Sequence, residues 1–322
     1  MQAIVVHALG GPEVLTLGTH PIPEPGPDEV LVRIHAIGVN FSDTERRRGV
    51  YDPPALPWIP GNEAAGIVEG LGPGVDSTWL GRRVAFWAPH TSGTYAEYTA
   101  APAAALFALR DDLDFTVGAA LPVQGLTAYG LSQVATALEA GQAAVVHAAA
   151  GGVGALLIQM LRRRGVRVFG TASTPAKREL VAALEAIPLP YGPTLPNLIF
   201  EATGGQGVDA VFDSVGQATR AESLAVLARY GHLVYFGEAS GPPAPIQLDE
   251  LYGRCLRLSA FWLGADPPER WDTARRELQE WVADGSLRMT VGRTFLLHQA
   301  AEAHRQLESR ETHGKLILMP AV

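Results

Sequence analysis

Ala149, Gly151 and Gly154 stand at the spacing of G-x-G-x-x-G, the pattern by which a backbone turn grips a dinucleotide, with alanine in place of the first glycine. In that pattern the first position permits a tight turn, the second lets the main chain approach a pyrophosphate, and the third lets a helix pack closely on a strand. Ala150, Gly151, Gly152, Val153 and Gly154 are therefore candidate pyrophosphate contacts. Glycines can also serve a simple loop in an α/β fold, so the reading depends on what surrounds them. Residues 143–147 are a short apolar run of the buried parallel-strand kind, and residues 155–161 are apolar on nearly every side, as a helix covered by a sheet and a neighbour must be. Arg162, Arg163 and Arg164 suit the negative end of that helix, Gly165 fits the position after it, and residues 166–170 form a second strand. Strand, turn, helix and strand follow one another in the order the turn requires.

The end of the second strand bears on which dinucleotide is bound. A chain selecting NAD carries Asp or Glu about 20 residues past the fingerprint to accept the ribose hydroxyl. Here the segment is Thr171-Ala172-Ser173-Thr174-Pro175-Ala176-Lys177-Arg178, with no carboxylate. Thr174 can cap the next helix and Pro175 fits its first position, which puts Lys177 in the first turn. A cation there opposes the helix dipole, and a nearby phosphate would account for it. The expected cofactor is NADPH, with Ser173 and Lys177 on the 2'-phosphate. The alternative is that Lys177 and Arg178 are solvated surface charges.

Composition narrows the class. The 322 residues suffice for two domains with separate cores. A formal net charge of -8 argues against nucleic acid as the main partner. Arg46, Arg47 and Arg48 form the only basic cluster in the first hundred residues and read as a solvated helix end. Cys255 is the single cysteine, so neither an intramolecular disulfide nor a thiolate zinc cage can be built. No run of about 18 apolar residues and no secretory leader pattern occurs, so no membrane role is expected and the cytoplasm is the expected compartment.

These elements need a scaffold. Residues 1–120 read as mostly β, with strand-like runs at 3–6, 14–17 and 29–39 and a proline-rich crossing loop at 21–27. Asn40 begins a polar cap before a short helix that Gly49 stops. The middle third alternates strand and helix, which implies a doubly wound parallel sheet with ligand at the strands' carboxyl ends. Residues 187–196 hold four prolines and should stay out of a central ladder, where a third strand would usually lie. From about Gly264 two helices and a final strand at 315–319 remain.

Several separated motifs together resemble the zinc-free medium-chain dehydrogenase/reductases, in particular the quinone oxidoreductase branch that includes the ζ-crystallins. The resemblance is carried by Asn40-Phe41-Ser42-Asp43-Thr44, Pro60-Gly61-Asn62-Glu63-Ala64-Ala65-Gly66, Gln124-Gly125-Leu126-Thr127-Ala128-Tyr129, Asp213-Ser214-Val215-Gly216, Gly231-His232-Leu233-Val234-Tyr235-Phe236-Gly237 and Thr312-His313-Gly314-Lys315-Leu316-Ile317. It implies an α/β protein with a GroES-like catalytic domain built from both chain ends (1–120 and 264–322) and an inserted Rossmann NADPH-binding domain (121–263). It also implies a homodimer through the last strand of the inserted sheet. By the same resemblance Asn40, Asp43 and Tyr51 are the catalytic candidates. Cofactor contacts carry over to Asn40, Tyr51, Thr127, Tyr191, Gly216, Phe236, Gly237, Phe261, Trp262, Leu263 and Lys315. Many relatives have tyrosine directly after N-F-x-D-T, whereas this chain has Glu45.

The zinc-dependent branch needs Cys and His ligands in the first domain, but Asn40-Phe41-Ser42-Asp43 offers no thiolate and Asn62 stands where those enzymes have histidine. No metal is expected. Without a Lewis acid the acceptor should already be electrophilic, a quinone or an alkene conjugated to a carbonyl. A quinone's reduced oxygens take protons from water, while an enone's carbanion gains from a positioned donor. Three functions follow: an NADPH-dependent quinone reductase, an NADPH-dependent enone or enoyl reductase, and an NADPH-binding interaction or RNA-binding protein, which the net charge disfavours.

Overall fold

The computed structural model describes residues 1–50, 54–88 and 93–320. Tyr51 lies outside the described residues. The chain divides into two compact units, one formed by Met1–Leu126 with Asp266–Val322 and the other by Thr127–Ala265.

The first unit starts with the antiparallel pair β1 (Gln2–Val5) and β2 (Thr16–Thr19). The long strand β3 (Glu29–Val39) follows and ends where Asn40 caps α1 (Phe41–Arg48). Gly49 ends that helix in the left-handed conformation, φ 73°, which glycine adopts without steric cost. Next come β4 (Glu63–Leu71), β5 (Arg83–Trp87), β6 (Tyr98–Pro102), β7 (Leu106–Ala108), α2 (Phe115–Ala120) and α3 (Pro122–Tyr129), the last crossing into the second unit.

The second unit runs β8 (Ala143–Val146), α4 (Gly152–Arg163), β9 (Arg167–Thr171), α5 (Pro175–Ala183), β10 (Ile187–Leu189), α6 (Leu195–Ala202), β11 (Val208–Asp213), α7 (Arg220–Ala225), β12 (Leu227–Tyr235), α8 (Leu248–Tyr252) and β13 (Arg257–Ala260). Its six strands are parallel in the order β10-β9-β8-β11-β12-β13. The order reverses between β8 and β11, which makes their carboxyl ends the switch point where such sheets bind ligands. Val145, Phe169, Val211 and Leu233 are fully buried at its centre.

The chain then returns to the first unit through α9 (Asp272–Ala283), β14 (Val291–Leu296), α10 (Ala300–Glu308) and β15 (Lys315–Met319). There the sheet order is β14-β15-β3-β4-β5-β7, with β6 also on β3. Alternate residues of β3, among them Val30, Val32 and Ile34, point into one core with Val84, Phe86 and Leu316. Among the described residues no helix is long and apolar enough to cross a membrane.

One local reading needs correction. Ile187–Leu189 does form a strand, pairing with β9 at the sheet's edge; proline lacks a donor, and an edge strand has a side on which none is needed. Helix α7 stops at Ala225 and β12 begins at Leu227, because the apolar run 224–227 satisfies either period and the parallel ladder to β11 takes its second half.

Candidate active site

The first unit gathers its polar groups where β15, β3 and β4 lie side by side. Lys315 opens β15, Asn40 follows β3, Glu63 opens β4, and all three are buried. Because β15 and β4 both run antiparallel to β3, their first residues meet the end of β3. Asn40 Nδ2 donates to Glu63 Oε1 at 2.7 Å, and Lys315 Nζ donates to Asn40 Oδ1 at 2.6 Å. Lys315 also pairs directly with the same Glu63 oxygen. The other oxygen, Oε2, accepts the N–H of Val123 at 2.7 Å. A Cβ at Gly38 would collide with Glu63 Oε1 and lie 2.7 Å from Ala119 O, so only glycine leaves room for the carboxylate. A fixed donor, Lys315, and a fixed acceptor, Glu63, thus orient the Asn40 amide from both ends.

Asp43 sits on the first turn of α1, where its Oδ2 accepts the backbone N–H of Asn40 at 2.9 Å and the hydroxyl of Tyr95 at 3.2 Å. Burial pushes its carboxyl up to about 6, against the Asn40 N–H and the Lys315 charge, which favour ionisation. Tyr95 Oη lies 2.9 Å from His304 Nε2, and His304 Nδ1 lies 3.1 Å from Arg47 Nη1. Arginine only donates, so Nδ1 accepts, Nε2 carries the hydrogen and gives it to Tyr95, and Tyr95 gives its own to Asp43. Burial first and Arg47 second lower His304 to about 3, so the ring is neutral. Arg47 continues to Glu308 at 2.6 Å and to Gly10 O at 3.1 Å. It is fully buried, which corrects the reading of the arginine run as a solvated helix end.

In the second unit the fingerprint turn joins β8 to α4. Gly151 caps α4, and its N–H donates to Ala148 O at 2.8 Å. A Cβ at Gly154 would stand 2.5 Å from Ala148 O and 2.9 Å from Ala149 Cα, so helix and turn meet at a distance only glycine allows. Ala150 is buried, while Gly151, Gly152 and Val153 are part-exposed. After β9, Ser173 is exposed and Thr174 Oγ1 caps the N–H of Lys177 at 3.2 Å, on a first turn of α5 that holds no acidic residue.

Tyr191 follows β10, and its hydroxyl accepts the N–H of Ala148 at 2.8 Å. Gly216 follows β11 at φ 89° and donates its N–H to Asp213 Oδ1 at 3.0 Å. Phe236 and Gly237 follow β12, and Phe261, Trp262 and Leu263 follow β13. Phe261 packs where a Cβ at Gly130 would stand, Leu263 is buried and Trp262 is half exposed. In a parallel sheet these segments share one edge, the carboxyl edge. Asn40, Asp43 and Lys315 belong to the first unit, and Thr127, part-exposed on α3, opens the second.

Sequence reasoning did not assign roles to Glu63, Tyr95, His304 or Arg47. Glu63 had a signal, its place in the Pro60–Gly66 motif, but nothing local distinguishes a buried arginine within a run of three. Among the described residues no group of three or more His, Cys, Asp or Glu could hold a metal ion.

Comparison with known proteins agrees with this architecture. A family model described as "Alcohol dehydrogenase GroES-like domain" matches residues 26–111, and one described as "Zinc-binding dehydrogenase" matches residues 194–318. A quinone oxidoreductase of Pseudomonas aeruginosa is 39% identical, over 97% of this chain and 98% of its own length. A 2-haloacrylate reductase of a Burkholderia species is 34% identical over 99% of both chains. The crystal structure of Escherichia coli quinone oxidoreductase complexed with NADPH superimposes with a TM-score of 0.94 at 34% identity, covering 99% of this chain and all of that one. With relatives this similar along their whole length, the chain belongs to the quinone oxidoreductases of the medium-chain dehydrogenase/reductase family.

Proposed function

We propose that the protein is an NADPH-dependent quinone oxidoreductase that works without a metal ion. The observation that carries the cofactor assignment is the fingerprint edge of the second unit: a turn closed to side chains at Gly154, no carboxylate after β9, and Lys177 in the first turn of α5. That geometry fits a dinucleotide, since the glycines at 151, 152 and 154 carry no side chain where a pyrophosphate must approach and the helix end favours its negative charge. The relative from Escherichia coli, solved with NADPH, supports the choice of phosphate form.

Ala150, Gly151, Gly152, Val153 and Gly154 would hold the pyrophosphate, and Ser173 and Lys177 the 2'-phosphate. Gly216, Phe236, Gly237 and residues 261–263 lie on the same edge and would line the rest of the dinucleotide. When bound, NADPH supplies the hydride that reduces the acceptor. Asn40 is the polar group we assign to the reaction, its amide fixed by Lys315 and Glu63 so that no reorientation is needed during reduction. Asp43 acts behind it as a positioning residue, because its Oδ2 is taken up by Asn40 and Tyr95. A quinone suits such a site, since its reduced oxygens are protonated by water and require no strong acid.

A second reading, reduction of an alkene conjugated to a carbonyl or carboxylate, is favoured by the likeness to the 2-haloacrylate reductase. We further propose a cytoplasmic homodimer joined along β13, one edge of the six-stranded sheet. Titration of the protein with NADPH, followed by nucleotide fluorescence, tests the cofactor assignment. Saturation at one nucleotide per chain supports it, and no binding removes it.

A further inference from the structure

His147 follows β8 directly and is fully buried. Its Nε2 lies 3.0 Å from Ser223 Oγ and its Nδ1 2.9 Å from Thr171 Oγ1. Ser223 gives its hydrogen to Asp213 Oδ2 at 2.7 Å, so it accepts from Nε2–H, and Thr171 must donate to Nδ1. Asp213 is itself held by the N–H groups of Val215 and Gly216 and by Thr219 Oγ1. The imidazole is therefore fixed from the ends of β9 and β11 and from α7.

Against this fixed ring lies Tyr191, nearly parallel at 15° with centroids 5.9 Å apart. Its hydroxyl accepts the N–H of Ala148. Ala148 has φ 50°, a left-handed conformation that costs a residue with a Cβ. The consequence is local and large. With Ala148 so turned, its carbonyl accepts the N–H of Gly151 at 2.8 Å. The same oxygen is what a Cβ would meet at Gly151, at 3.0 Å, and at Gly154, at 2.5 Å. The Ala148 carbonyl is the pivot around which the turn is wound. Ala149, the next residue, is tied to Thr171 O at 3.0 Å. A strained alanine keeps such a conformation only where its surroundings hold it.

We infer that Tyr191 and His147 serve cofactor binding through the backbone, by clamping Ala148 in the conformation that shapes the pyrophosphate turn. They are positioning residues. The inference rests on the reading of that turn as the pyrophosphate site, and it differs from a role for Tyr191 as a direct ligand of the adenosine phosphate. A direct ligand of the 2'-phosphate affects NADPH alone. A clamp affects every nucleotide that uses the turn, and the need for it vanishes when the strain does.

The experiment is a cycle of Tyr191→Phe, Ala148→Gly and the double variant, with dissociation constants for NADPH and for NADH measured by fluorescence titration and thermal midpoints recorded alongside. Phenylalanine keeps the stacked ring and removes the acceptor; glycine adopts positive φ without strain. In the parent, Tyr191→Phe should weaken both nucleotides by the same factor, about tenfold, as expected when a strained alanine loses a contact that holds its conformation. In the Ala148→Gly background the same change should alter either constant by no more than about twofold, a coupling that a cycle isolates. If Tyr191→Phe does not fold alone, its effect in the Ala148→Gly background decides: a selective loss of NADPH overturns the clamp, and near-equal constants support it. A loss confined to NADPH in both backgrounds overturns it equally. Should the parent protein bind neither nucleotide, the reading of the turn fails, and the clamp with it.

Discussion

Lys177 is the residue to which the proposed function assigns the choice of cofactor. Its place in the first turn of α5, after a capping Thr174 and a leading Pro175, puts a positive charge where the helix dipole disfavours one. Lys177→Ala should weaken NADPH about tenfold or more, the loss of a charge-assisted contact, and leave NADH nearly unchanged, as parallel titrations will show. Equal losses would remove the phosphate assignment. A second residue-scale prediction concerns His304. Between pH 6.5 and about 3 an unfolded chain carries a proton on this ring that the folded chain refuses, so its contribution to stability falls as the pH falls through that window. Asp43 runs the other way between about 6 and 3.8, because its folded carboxyl keeps a proton that the unfolded one releases. Carboxylates such as Asp112, held low by Arg110, and Glu250, held low by the Gln247 N–H and then by Arg220, titrate in parent and variant alike. The difference between them therefore isolates the histidine. Relative to the parent, His304→Gln should gain stability on acidification from 6.5 toward 3, by at most about 1.4 kcal/mol per pH unit. Urea unfolding at a series of pH values measures it, and a difference independent of pH would contradict the neutral, buried assignment.

At the scale of elements, what was legible and what was not divide along range. The turn, α4 and β9 could be read because their signals are local: glycines at fixed offsets, a helix apolar on nearly every side, arginines and Gly165 at its end. The cap of α1 was legible for the same reason. The burial of Arg47 was not, since it depends on His304 and Glu308, more than 250 positions away, and a run of three arginines looks the same locally whether or not one of them is covered. The segment 187–189 was half legible: its proline forbids a central place, and the open edge beside β9 supplied a tolerant one. The other edge strand, β13, leaves Leu258 exposed, and Leu248 and Tyr252 of α8 are exposed as well. Unpaired apolar edges associate. Sedimentation should accordingly give about twice the 34.2 kDa chain mass, and Leu258→Asp should return the protein to single chains. A monomeric parent would remove the β13 interface.

At the scale of the whole molecule, the two units divide the chemistry. One holds a buried, hydrogen-bonded amide at the meeting of β15, β3 and β4, built from residues that the chain contributes near both its ends. The other holds a dinucleotide turn at the switch point of a parallel sheet. Alternation of strand and helix made the second unit readable from sequence, whereas the return of residues 264–322 to the first domain was implied by family resemblance and the pairing of β15 with β3 was not foreseen, because nothing in a local window marks which distant strand will be a neighbour. The central claim is that the chain passes hydride from NADPH to an acceptor that needs no metal. The measurement that tests it most directly is oxidation of NADPH, with NADH in parallel, against a panel of ortho- and para-quinones and 2-alkenals, using protein stripped with a chelator. The account predicts quinone turnover, faster with NADPH than with NADH and unchanged by stripping. Turnover of alkenals alone would move the protein to the conjugated-alkene reductases, and turnover restored only by added zinc would contradict the account.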